Sequence, residues 1–187
     1  MLRIRLLSTL SVLLLAAFCA MGTTVEYGPL VIRGDAEFID RTREALALLE
    51  ELAPDAFEKI CTYVGLIDQG EHSAMWAYED PPRYEVGGGT ASYSTTWYAS
   101  TIAHDATHSE LYHEYVAAHP SHRHRVPTDV WAGVSAERFC LSYQLEVLKA
   151  IGGPPHEIEY LAKQTGTHCD VDGDGDCDWD DYENRDW

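Results

Sequence analysis

The amino-acid sequence predicts an α+β fold: a small sheet followed by packed helices, with an acidic C-terminal appendix. Three observations predict it. Short β-branched and aromatic runs, bounded by Gly and Pro, occupy the first half. Two long segments of helical periodicity, 95–118 and 136–151, occupy the second. The composition then changes sharply: from Asp170 onward nine acids face one base, Arg185. With 187 residues, 45% of them hydrophobic and 24% charged, the chain can bury one core of ordinary size.

The elements follow in order. Arg3 and Arg5 precede an apolar run over 6–18 that is short for a membrane span, and Ala20-Met21-Gly22 places small residues where a leader is cut. Residues 1–22 therefore read as a signal peptide, and the protein is expected to be secreted, with no membrane association after cleavage. A strand is expected at 29–33. Asp35 then caps a helix over 35–52 with Phe38, Ile39, Leu46, Leu49 and Leu52 on one side, and Pro54 stops it. Residues 60–67 read as a second strand ended by Gly70. Pro81-Pro82 is a break, and 84–93 reads as extended, weakened by Gly87-Gly88-Gly89. The helix at 95–118 stops before Pro120, and that at 136–151 ends at Gly152-Gly153-Pro154-Pro155. A third helical stretch covers 156–164. The main domain is thus 23–165 and the appendix 166–187.

The net charge is −18, and the first 22 residues hold two arginines and no acid, so the remainder is more acidic still. A nucleic-acid binder needs the opposite sign to displace counterions. An anionic membrane surface is disfavoured for the same reason. Cation binding, or solubility outside a cell, fits this charge. Beyond the leader stand four cysteines, an even number suited to an oxidising compartment. The most local pairing joins Cys169 to Cys177 and leaves Cys61 for Cys140, the alternative for the latter two being buried free thiols.

His104 and His108 stand at i and i+4, about 40° apart on one face of a helix. Trp97, Thr101, Leu111 and Tyr115 fall within about 60° of His104, so the pair belongs to an apolar, inward stripe. Inward imidazoles need partners: a metal ion supplies them, and so can hydrogen bonding in the core. Glu137 weighs on the metal side. Leu148 and Leu141 lie within about 40° of it on the next helix, and Leu145, Ile151, Cys140 and Val147 within about 80°. A first-turn acid complements the helix dipole, but that role does not require alignment with the core face. A buried carboxylate is costly unless it is paired or metal-bound. Two His from one helix and a Glu from the next form a three-ligand zinc site with an open position.

Ala103-His104-Asp105-Ala106-Thr107-His108, with a Glu on the following helix and a small sheet ahead, resembles the gluzincin branch of zinc metallopeptidases over about 29–151. The resemblance implies that His104, His108 and Glu137 hold Zn2+. It implies that Asp105, where the family has Glu, is the catalytic base for hydrolysis of a peptide or protein substrate by zinc-activated water. It also implies that 84–93 is an edge strand able to pair with an extended peptide. Aspartate keeps the base chemistry but is one methylene shorter, and a misplacement of about 1 Å costs on the order of 100-fold in rate. A non-catalytic extracellular zinc- and calcium-binding module is the alternative. The metzincin pattern fails, because Leu111 and Glu114 stand where that pattern needs Gly and His. His113 lies on the opposite helix face from His104, and His119, His122 and His124 sit in a loop. Tyr143 is a poor oxyanion donor, because it points away from Glu137.

The appendix matches the register of an EF-hand loop. Asp170, Asp172 and Asp174 take positions 1, 3 and 5, Gly175 position 6, Asp176 position 7, Asp178 position 9 and Asp181 position 12. Asp181 in place of Glu looks like the loops of dockerins, although one loop is present where dockerins have two. Hard oxygen ligands at this spacing suit Ca2+, the alternative being a disordered acidic tail. A disulfide between Cys169 and Cys177 brackets the loop.

Overall fold

The computed structural model describes residues 22–122, 125–174, 177 and 179–184. Residues 1–21 of the leader, His124, Gly175, Asp176 and Asp178 lie outside these, as do the side chains of His122 and Trp179. The fold is α+β, as the sequence predicts. The strands are β1 (Thr23–Tyr27), β2 (Leu30–Gly34), β3 (Leu66–Gly70), β4 (Ala74–Trp76) and β5 (Arg83–Gly87). They form one sheet in the order β1-β2-β3-β5-β4. β1 and β2 form an antiparallel hairpin from Thr23↔Gly34 to Tyr27↔Leu30, turned by Gly28 at φ 57°, a conformation that suits glycine. β2, β3 and β5 run parallel, and β4 is an antiparallel edge against β5.

Alternation along the strands divides the sheet into two faces. Leu30, Ile32, Ile67, Tyr84 and Val86 enter the core. On the other face Arg33 pairs with Asp68, and Arg83 pairs with Glu79 and Glu85 at 2.8 and 2.9 Å. Helices cover the apolar face. Asp35 caps α1 (Ala36–Leu52), accepting from the Phe38 amide at 2.8 Å, while Gln69 binds Asp35 through both backbone and side chain. Phe38, Ile39, Leu46 and Leu49 are buried as expected. Leu52 is not: it is 46% exposed, in the final turn where the chain swings away.

Pro54 starts a helix as well as stopping one. α2 (Pro54–Tyr63) has Pro at its first position, where the missing N–H costs nothing. The expected strand at 60–67 is therefore corrected: helix runs to Tyr63 and strand begins at Leu66. Burial of Ala56 and Ile60, four residues apart on the inner face of α2, overrides the local β propensity. The extended reading of 84–93 holds only to Gly87, and Gly88–Tyr93 forms α3. β5 is also not an edge, because it pairs on both sides. The edge is β4.

α4 (Thr95–Ala118) crosses the middle of the molecule. Ser94 caps it, accepting from the Trp97 amide at 2.9 Å. Ala99, Ala103 and Ala106 let its neighbours approach closely, and it packs against α1, α2 and α6. A short helix α5 (Thr128–Trp131) leads to α6 (Val134–Ala150), and α7 (Pro155–Leu161) and α8 (Trp179–Asn184) follow. Cys169 and Cys177 form the expected disulfide. The expected Cys61–Cys140 bridge is absent, and both thiols are free. Cys61 lies near Tyr27 and Glu50, whereas Cys140 is enclosed beside His108, so the two neighbourhoods do not meet.

Candidate functional site

α4 and α6 bring His104, His108 and Glu137 together, all three buried. The His104 and His108 Nε2 atoms lie 2.9 Å apart. Glu137 Oε2 is 3.3 Å from His104 Nε2, and Glu137 Oε1 is 3.3 Å from His108 Nε2. Tetrahedral ligands at zinc–ligand distances near 2.05 Å stand about 3.3 Å from one another, so this spacing fits a metal ion. The remaining polar atoms agree. His108 Nδ1–H donates to the Trp131 carbonyl, which turns Nε2 toward the cluster. Glu137 Oε2 is buried without a well-aligned hydrogen bond, a costly state that a cation relieves.

The charges couple. Burial works against ionisation of Glu137, but the His108 and His104 rings outweigh it and hold the carboxyl well below its usual range. Burial likewise opposes protonation of His108, but Cys140 and Glu137 outweigh it and hold the ring well above its usual value. The Cys140 thiol is itself pushed up by burial. Without a metal, His108 is thus held as an imidazolium against the Glu137 carboxylate.

The trio lies in the wall of a cavity of about 880 Å³. Asp105 lines the same cavity, half-buried, next to His104 in sequence. Beneath it, the Tyr84 hydroxyl is wholly buried; burial first, and then the Asp105 charge, drive its pKa well up. Trp76, Tyr78 and Trp131 form one aromatic group in the cavity wall, and Tyr93, Trp97 and Tyr160 a second.

Sequence reasoning missed His168, whose Nε2 lies 3.7 Å from Glu137 Oε2. It reaches the cavity because the appendix folds back over the main domain. Tyr182 packs edge-on against Trp76 of β4 and against His72, at 5.5 and 5.6 Å between centroids. No periodicity or motif marks His168, and its only signal is adjacency to Cys169. Other residues stand where the sequence placed them. His113 is turned away, stacked on Tyr63, and His119 stacks on Tyr115. Tyr143 faces Lys59 instead of the cavity, with the ammonium 3.8 Å from its ring centre.

In the appendix, Asp170, Asp172 and Asp174 place one carboxylate oxygen each within 4.8 Å of the others, a group able to hold a metal. Asp181 is buried, and its Oδ1 accepts from the Val171 and Asp172 amides at 2.6 and 3.3 Å, tying α8 to the start of the loop. No helix among the described residues is long and apolar enough to cross a membrane. No family model matches the chain, and comparisons with the curated proteins and with the solved structures return no match.

Proposed function

We propose that this protein is a secreted zinc-dependent metallopeptidase-like hydrolase of gluzincin type, with a structural calcium site in its appendix. The convergence of three buried ligand atoms at tetrahedral spacing, in the wall of a large cavity, carries the reading. His104 Nε2, His108 Nε2 and the Glu137 carboxylate would hold the zinc. Bound zinc supplies Lewis acidity, making water acidic near neutral pH and polarising a carbonyl. Asp105 is the one carboxylate on the cavity wall outside the ligand trio that neighbours a ligand in sequence, and its role is to take the proton of the attacking water. The outer side of β4 offers an unpaired edge among the described residues, suited to an extended peptide. In the appendix Asp170, Asp172, Asp174, Asp176, Asp178 and Asp181 would hold calcium, and residues 1–22 direct export.

A non-catalytic metal-binding module is the second reading. The shorter reach of Asp105 favours it, as does His168 standing against Glu137. Metal analysis of the purified protein, followed by cleavage of a broad peptide library, separates the readings. About one zinc per chain with cleavage supports the first. Zinc without cleavage supports the second. No zinc refutes both.

A further inference from the structure

Three aromatic rings and a buried acid line the same cavity, on α3, the first turn of α4 and α7. Trp97 meets Tyr93 at 5.8 Å and 64°, and meets Tyr160 at 5.7 Å and 63°. Tyr93 and Tyr160 are 61% and 59% exposed, so the mouth of this box is open. Glu157, which lines the cavity with these rings, is 2% exposed. Its Oε1 accepts from Ser94 Oγ at 2.6 Å and its Oε2 from Thr96 Oγ1 at 2.8 Å. These hydroxyls leave each carboxylate oxygen a further lone pair. Among the described residues, no Lys, Arg or His forms an ion pair with Glu157. The N-terminus of α4 offsets roughly half a charge. Glu157 thus offers a buried carboxyl with no cationic side chain beside it among the described residues.

We propose that this box binds an alkylammonium group. Ring faces attract cations through their quadrupole, the carboxylate adds a full charge, and the net charge of −18 draws cations to the whole surface. Trp97 precedes His104 by two helical turns, about 10 Å along the axis. That separation equals about three residues of extended peptide. Resting on the peptidase reading, the box would take the N-terminal ammonium or a Lys side chain of a peptide whose scissile bond lies at the His104–His108–Glu137 cluster. The box itself stands without that reading, because none of its residues touches the cluster.

The test uses the full mature chain. Titration with butylammonium and with 1-butanol, followed calorimetrically with zinc present and after chelation, should give saturable binding of the ammonium at least about tenfold tighter than of the alcohol under both conditions. Tyr160→Ala removes an exposed ring without disturbing the fold and should weaken the ammonium about tenfold. Glu157→Gln should do the same, with its melting temperature recorded to separate folding from binding. Equal affinity for the two probes, or an unchanged Tyr160→Ala, overturns the proposal. Peptides with free or acetylated N-termini, and with Lys or norleucine at each position, identify which ammonium is used. Ammonium binding without any peptide cleavage defeats the peptidase reading and leaves the box. Cleavage with no ammonium binding defeats the box and leaves the peptidase.

Discussion

Zinc added to the metal-free protein at pH 7 should displace about one proton more from a Cys140→Ala parent than from its Glu137→Gln variant. In the metal-free protein, His108 is buried with Glu137 Oε1 3.3 Å from its Nε2, and its pKa stands well above the usual value. The ring therefore carries a proton at pH 7. A metal takes only the neutral imidazole, so binding must expel that proton. Replacing the carboxylate by an amide removes an attractive charge and leaves the burial that opposes imidazolium. Cys140 also raises the His108 pKa, so parent and variant are compared with Cys140→Ala in both, where Glu137 alone supports the imidazolium. His108 in the variant is then neutral before zinc arrives. Ionisation of a coordinated water is common to both proteins and cancels in the difference. Between about pH 6.5 and the raised value, log K for zinc should climb about one unit per pH unit in the parent and stay nearly flat in the variant. Calorimetry in two buffers of different ionisation enthalpy counts the protons. Equal counts in the two proteins would refute the coupling of His108 to Glu137.

Other outcomes follow from the same geometry. Asp105→Asn should keep zinc and lower peptide cleavage by about 100-fold or more, because the amide cannot take a proton, and a fluorogenic peptide assay reads it. Without metal, Glu137 contributes stability fully above about pH 4.3 and loses it as pH falls through its lowered pKa; His108 contributes fully below about pH 6.5 and loses it as pH rises through its raised pKa. The melting temperature of the chelated protein should therefore peak within that window and fall on both sides. Leu49→Ala removes a wholly buried side chain and should cost about 2–5 kcal/mol by urea denaturation. Calcium at about 10⁻⁴ to 10⁻³ M should slow amide exchange over 169–184 and leave zinc content unchanged. Reducing Cys169–Cys177, which span 8 residues, should loosen the same segment by about 2.5 kcal/mol of closure entropy.

Where local chemistry decides the outcome, the sequence alone was sufficient. Asp35 caps its helix because a short side-chain acceptor before an apolar-periodic run satisfies orphan amides whatever surrounds it. The i, i+4 spacing of His104 and His108 guarantees a shared helix face, and Glu137 stood out because an acid was aligned with an apolar arc. Long-range packing decided the rest. Pro54 ends one helix as the sequence predicts, but that it also begins another was decided by burial of Ile60. Cys140 could pair with Cys61 or stay free, and its enclosure beside His108 left it unpaired. The inner place of β5 depends on β4 adding outside it, which a three-residue strand scarcely announces. His168 and the Trp97–Glu157 box join segments some 30 to 60 residues apart. Contacts of that range leave no period in a sequence, because they arise only when the chain returns on itself and apolar burial holds it there.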